Sequence, residues 1–211
     1  FVFAFMCLQA LMALAVSMQV LLAEHVSDIT GLTVLFWCCA GAPVLVILPF
    51  SALLSVQEER RGNTIELLHL TRLTPWRMIL GKWLSVMDRS LLLLAGVLPY
   101  LFCRYFIGGV NIAFELLLLA FVTLLAALET AICLFLSSLA HPFLRWGLGL
   151  VLLFVVGLPS TVFVAMGAEG PDQLLAELGP ALVATVVTAT AATTLHFLAS
   201  AAGFLAPGAI S

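Results

Sequence analysis

Five ionisable residues stand inside long apolar runs: Asp88, Arg89, Glu115 and Glu129, with Arg104 near the end of its run. At hydrocarbon depth such groups pair with one another, line a polar path or relay protons. Their positions favour pairing. The "GGVN" at 108–111 makes a tight turn between two long runs. Arg104 and Glu115 lie equally far from that turn, and Arg89 and Glu129 nearly so. At about 100° per residue, the two arginines are about 60° apart and the two glutamates about 40° apart. Two interhelical ion pairs are therefore expected, Arg104–Glu115 near the turn and Arg89–Glu129 deeper. A polar translocation lining or a proton relay is the functional alternative.

Other reactive groups form no site. His25, His69, His141 and His196 are far apart, and no HExxH occurs. Glu58-Glu59 opens the EExxxR pattern of CAAX-type membrane proteases, but Asn63 stands where Arg is required. No GxSxG elbow is present. Cys7, Cys38, Cys39, Cys103 and Cys133 all lie in apolar runs, with no CxxC among them. They read as small packing residues rather than disulfides or metal ligands. Neither catalysis nor a bound metal is expected.

The elements that position these charges follow from composition. The 211 residues are 64% hydrophobic and 9% charged, with a mean hydropathy of +1.23. A soluble domain carries about 25% charged residues, so this chain lacks the material for a water-facing surface. It reads as an all-α, polytopic membrane protein with lipids as its surroundings. A net charge of -3 without a Lys/Arg-rich run excludes nucleic acid as a partner.

A crossing takes about 20 apolar residues of helix, and helix satisfies its own backbone in lipid. Six runs qualify, at 1–23, 32–56, 75–106, 111–138, 143–166 and 179–204. Strand alternation is absent, which argues against a β-barrel. Pro43 and Pro49 are expected as tolerated kinks in the second run, and Pro159 is expected to break the fifth, letting its end re-enter the membrane. The whole of 1–211 is one transmembrane domain. It opens inside an apolar run without Met, so further residues are expected ahead of Phe1.

Orientation follows the basic residues. The connections at 24–31 and 166–179 contain acids and no Lys or Arg, while Arg145 follows the fourth run. "QEERRGNTIELLHLTRLTPWRMILGK", at 57–82, holds five of the eight basic residues. That stretch is therefore cytoplasmic, as are both termini. The sixth run repeats small or polar residues every four positions: Ala184, Thr188, Ala192, His196 and Ser200. Such a face packs closely against another helix, of this chain or a second copy, or lines a pore.

Within 57–82 a short amphipathic helix is readable. Asn63 is its cap and Glu66 its capping-box partner, with Ile65, Leu67, Leu68 and Leu70 following at helical spacing. Thr74-Pro75 ends it and starts the next helix. A basic loop lying in the lipid interface is the plainer alternative.

The same stretch resembles the cytoplasmic signature of type-2 ABC transporter permeases. The residues that carry the likeness are Glu58-Glu59-Arg60-Arg61, Thr64-Ile65-Glu66-Leu67-Leu68, Leu73-Thr74-Pro75-Trp76 and Gly81-Lys82. Asn63 replaces the family's usual Gly, with Gly62 one place early, and Arg72 replaces a frequent Pro.

The resemblance implies a permease subunit of an ABC exporter, in a bacterial inner membrane, that dimerises with a second permease on a pair of ABC ATPase subunits. Asn63, Thr64, Glu66, Leu67, Leu68, Leu70 and Arg72 would form a coupling helix that docks in the ATPase. The chain has no G-x-x-x-x-G-K-[ST] loop. ATP would be bound and hydrolysed by the partner, and the permease itself would hold no cofactor and be no enzyme. So apolar a set of spans suits a hydrophobic or amphipathic cargo. The alternative is a structural or regulatory membrane subunit that transports nothing.

Overall fold

The structure, a computed structural model, describes residues 2–22, 30–61, 74–107, 111–139, 147 and 180–205. Every element among them is helical. In chain order they are α1 (Val2–Leu22), α2 (Thr30–Ala42), a π-helical turn (Pro43–Ile47), α3 (Leu48–Arg61), α4 (Pro75–Ile107), α5 (Ile112–Ser138) and α6 (Pro180–Phe204). Apart from Gly147, the expected span at 143–166 lies outside the described residues, as does the expected short helix at 63–73.

Four segments are long and apolar enough to cross a membrane: Thr33–Leu54, Pro75–Phe106, Ile112–Ser138 and Ala184–Phe204. α1 is apolar as well and runs for 21 residues, with Phe5–Met18 as its apolar stretch. Four such helices are therefore found among the described residues where the sequence reading expects six.

Local chemistry explains the helix ends. Thr74 O accepts from Arg77 N at 3.0 Å and Met78 N at 3.3 Å, and Pro75 takes the first helical position of α4, where a missing N–H costs nothing. Asn111 caps α5, its side chain accepting from Ala113 N at 3.1 Å.

The second span carries a π-helical turn at Pro43–Ile47. Pro43 has no N–H to give, so the regular ladder breaks there, and Leu48 N donates to Pro43 O one residue beyond the α-helical spacing. The π turn joins α2 to α3.

α5 is the central helix, with α3, α4 and α6 all packed on it, while α1 lies against α2 and α4. α4 and α5 form an antiparallel pair. On α4, Ser90, Val97 and Arg104 are one heptad apart and all buried; on α5 the same holds for Glu115, Val122, Glu129 and Leu136. A seven-residue repeat is the mark of helices that supercoil slightly to keep one seam in contact. Phe135 of α5 meets Phe197 and Phe204 of α6, with ring centroids 5.6 and 5.8 Å apart.

α1 comes close to α4 at Gly96. A Cβ there would collide with the Gln9 amide and lie 3.0 Å from the Phe5 ring. Tyr100, one turn on, donates its hydroxyl to Gln9 O at 3.2 Å. α6 is exposed over most of 184–193. Its hydroxyls turn back on the helix: Thr188 donates to Ala184 O at 2.9 Å, Thr193 to Ala189 O at 2.7 Å and Ser200 to His196 O at 2.9 Å. Such back-bonding lets Thr and Ser face an apolar medium.

Candidate functional site

The best-defined polar centre lies where α2, α4 and α5 meet. Arg104 Nη1 is 3.1 Å from Glu115 Oε1, with both side chains buried. Arg104 Nη2 donates to Thr33 Oγ1 at 2.9 Å. The guanidinium carbon sits 4.4 Å from the centre of the Phe36 ring, in the geometry of a cation–π contact. Trp37 packs edge-on to Phe36, with centroids 5.9 Å apart. Its indole is a further polar neighbour of the Glu115 carboxylate, although neither Trp37 Nε1 nor Glu115 Oε2 completes a hydrogen bond among the described residues.

This grouping follows from element geometry. Thr33, Phe36 and Trp37 stand at helical spacing on one face of α2, while Arg104 and Glu115 close the end of the α4–α5 hairpin. Removing a charge pair from water is costly, and the attraction repays it only when further donors and acceptors complete the shell. Thr33 and the Phe36 face supply that shell on the arginine side, while Glu115 Oε2 has no hydrogen bond among the described residues. Chemically, the centre is suited to holding three helices in register. The fork geometry of the guanidinium lets one side chain reach two neighbouring helices.

The sequence reading did not single out Thr33, Phe36 or Trp37. The available signal was a hydroxyl and two aromatics at i, i+3 and i+4, near the end of the span expected to lie level with Arg104.

The second expected pair does not form. Glu129 is 2% exposed, whereas Arg89 is exposed on another face of α4. The inward seam of α4 passes through Ser90, one heptad from Val97 and two from Arg104. Arg89 is one residue out of phase, about 100° round the helix. Glu129 keeps phase with Glu115 and stays inside, next to Cys133 one turn on. Nearby, Trp83 Nε1 donates to Ala127 O at 3.1 Å, a second polar tie between α4 and α5.

The residues expected to engage an ATPase, Asn63, Thr64, Glu66, Leu67, Leu68, Leu70 and Arg72, lie outside the described residues. Along α6, Ala184, Thr188, Ala192 and His196 are exposed and Ser200 is half-buried. The His196 ring stacks edge-on to Phe197 at 6.1 Å. All five cysteines are free thiols. Among the described residues no cluster of three or more His, Cys, Asp or Glu side chains could hold a metal ion.

Among the described residues every element is helical, and four helices long and apolar enough to cross a membrane point to an integral membrane protein. No family model, curated protein or solved structure matches the chain.

Proposed function

We propose that this chain is the membrane-spanning permease subunit of an ATP-driven ABC exporter, working as a dimer with a separate ATPase bound at its cytoplasmic face. The observation that carries the reading is the charged stretch at 57–82, with its Thr64-Ile65-Glu66-Leu67-Leu68 and Gly81-Lys82 signature. Its placement supports the same reading. α3 runs on to Arg61 and α4 begins at Pro75, so the connection is held at both ends by long helices that pack on α5. A partner moving residues 63–73 would pull on both at once.

Mechanistically, ATP acts on transport only if the ATPase binds one permease conformation better than the other. The coupling residues transmit that preference, and the apolar spans favour a hydrophobic or amphipathic cargo. The reading includes six spans, with 143–166 as the fifth, in a bacterial inner membrane with both termini in the cytoplasm.

The decisive experiment changes Leu67→Asp together with Leu68→Asp and captures the full chain from native membranes. The expected result is loss of a Walker-type ATPase from the captured complex while the membrane part stays folded. An unchanged partner list overturns the transporter reading and leaves a non-transporting membrane subunit.

A further inference from the structure

We infer that a second copy of this chain docks on the inner half of α4 through Asp88 and Arg89, each pairing with the other residue type across a two-fold axis. The inference names a face for the dimer of the reading above, and its test is independent of the ATPase.

Three observations converge. Asp88 and Arg89 are both exposed, near the middle of a 33-residue helix. At about 1.5 Å per residue they lie about 10 Å beyond Lys82, the last basic residue of the stretch expected in the cytoplasm, at the inner margin of the span, where a charge turned toward lipid loses hydration. Neither has an ion-pair partner among the described residues; the expected partner Glu129 is turned inward.

The second observation is symmetry. Copies in one membrane share their orientation, so a two-fold axis between them runs roughly parallel to α4. Such an axis makes the interface self-complementary. Adjacent residues differ by about 100° round a helix. If the axis passes between them, Asp88 of one copy faces Arg89 of the second, and the reverse pair forms at the same depth. An acid followed directly by a base is thus a complete reciprocal pair when doubled.

The third is shape. The circumference between Asp88 and Arg89 is occupied, a turn below and above, by Ser85 and Leu92, both exposed. Gly81 lies a further turn down the helix, with open space where a Cβ would be. Small residues let helix backbones approach closely in a membrane. α1 meets α4 further out, at Gly96, while Ser85, Asp88, Arg89 and Leu92 are exposed among the described residues.

The test uses the full chain in lipid nanodiscs, with Cys7 and Cys103 changed to Ser. Ser85→Cys and Leu92→Cys stand close to the axis and should each form disulfide-linked dimers. Leu91→Cys, about 110° away, should not. Asp88→Arg and Arg89→Asp should each lower the Ser85→Cys cross-link severalfold, and the double swap should restore it, because both reciprocal pairs are remade in reverse. Asp88→Asn and Arg89→Gln, which add no repulsion, serve if a swap variant fails to fold, and each should also lower the yield. Equal cross-linking at Leu91→Cys, or a double swap no better than either single, overturns the inference. ATPase capture is read in parallel: retained capture without this contact removes the face and leaves the transporter reading standing.

Discussion

Arg104 of α4 and Glu115 of α5 meet at 3.1 Å, and Thr33 of α2 completes the group at 2.9 Å from the same guanidinium. One arginine therefore ties the α4–α5 hairpin to α2, whose Thr33 is 71 residues away in the chain. Losing either charge leaves its partner buried and uncompensated.

Arg104→Gln and Glu115→Gln should each destabilise the folded chain by about 3–5 kcal/mol, read from unfolding in mixed detergent micelles. Arg104→Glu combined with Glu115→Arg should recover part of that loss. Recovery stays incomplete because Thr33 and Phe36 surround the α4 position, not the α5 one. A swap no better than the worse single change would show that the charges do not act as a pair.

Thr33→Val removes a hydrogen bond to a charged group and should cost about 1.5–3 kcal/mol. Phe36→Leu keeps the bulk but loses the cation–π face, worth about 0.5–2 kcal/mol. In an Arg104→Gln background both effects should shrink, since the guanidinium they serve is gone. Additive losses in the same unfolding assay would separate these residues from Arg104.

Arg89 and Glu129 face different ways, so exchanging their charges should rescue nothing. The double variant Arg89→Glu with Glu129→Arg should be at least as unstable as Glu129→Arg alone. Full recovery would place the two side chains in contact after all.

Gly96 is where α1 touches α4, with no space for a side chain. Gly96→Leu must displace Gln9 and Phe5 and should cost about 1–3 kcal/mol by overpacking. Gln9→Ala in the same chain should relieve part of it. Thermal unfolding of the pair of variants checks this, with no relief counting against the contact.

Trp83 joins α4 to α5 through its indole N–H and Ala127 O. Trp83→Phe retains the ring and loses the bond, with an expected cost of about 0.5–1.5 kcal/mol. A change in Trp fluorescence without a shift in the unfolding midpoint would mean that the bond adds nothing.

Much of this arrangement was legible in the chain itself. Composition leaves helices in lipid as the economical solution, and run lengths place them. Thr74-Pro75 marks where α4 begins, because helix starts are a local matter of side chain and adjacent backbone; the turn at 108–111 was read, but the Asn111 cap on α5 was seen only in the structure. The depth match of Arg104 and Glu115 was also readable. A tight turn at 108–111 makes distance along each helix a matter of counting residues.

Azimuth was not readable in the same way. Counting at 3.6 residues per turn put Arg89 on the face of Arg104, but packing holds α4 and α5 to a heptad seam that passes through Ser90. Over two heptads a one-residue slip turns a buried ion pair into an exposed base. Nor could the chain alone bring Thr33 and Phe36 to Arg104, or turn the Pro43 kink into a π turn. Depth within a hairpin is set by covalent geometry, whereas facing is set by how neighbouring helices coil and which distant side chains they admit.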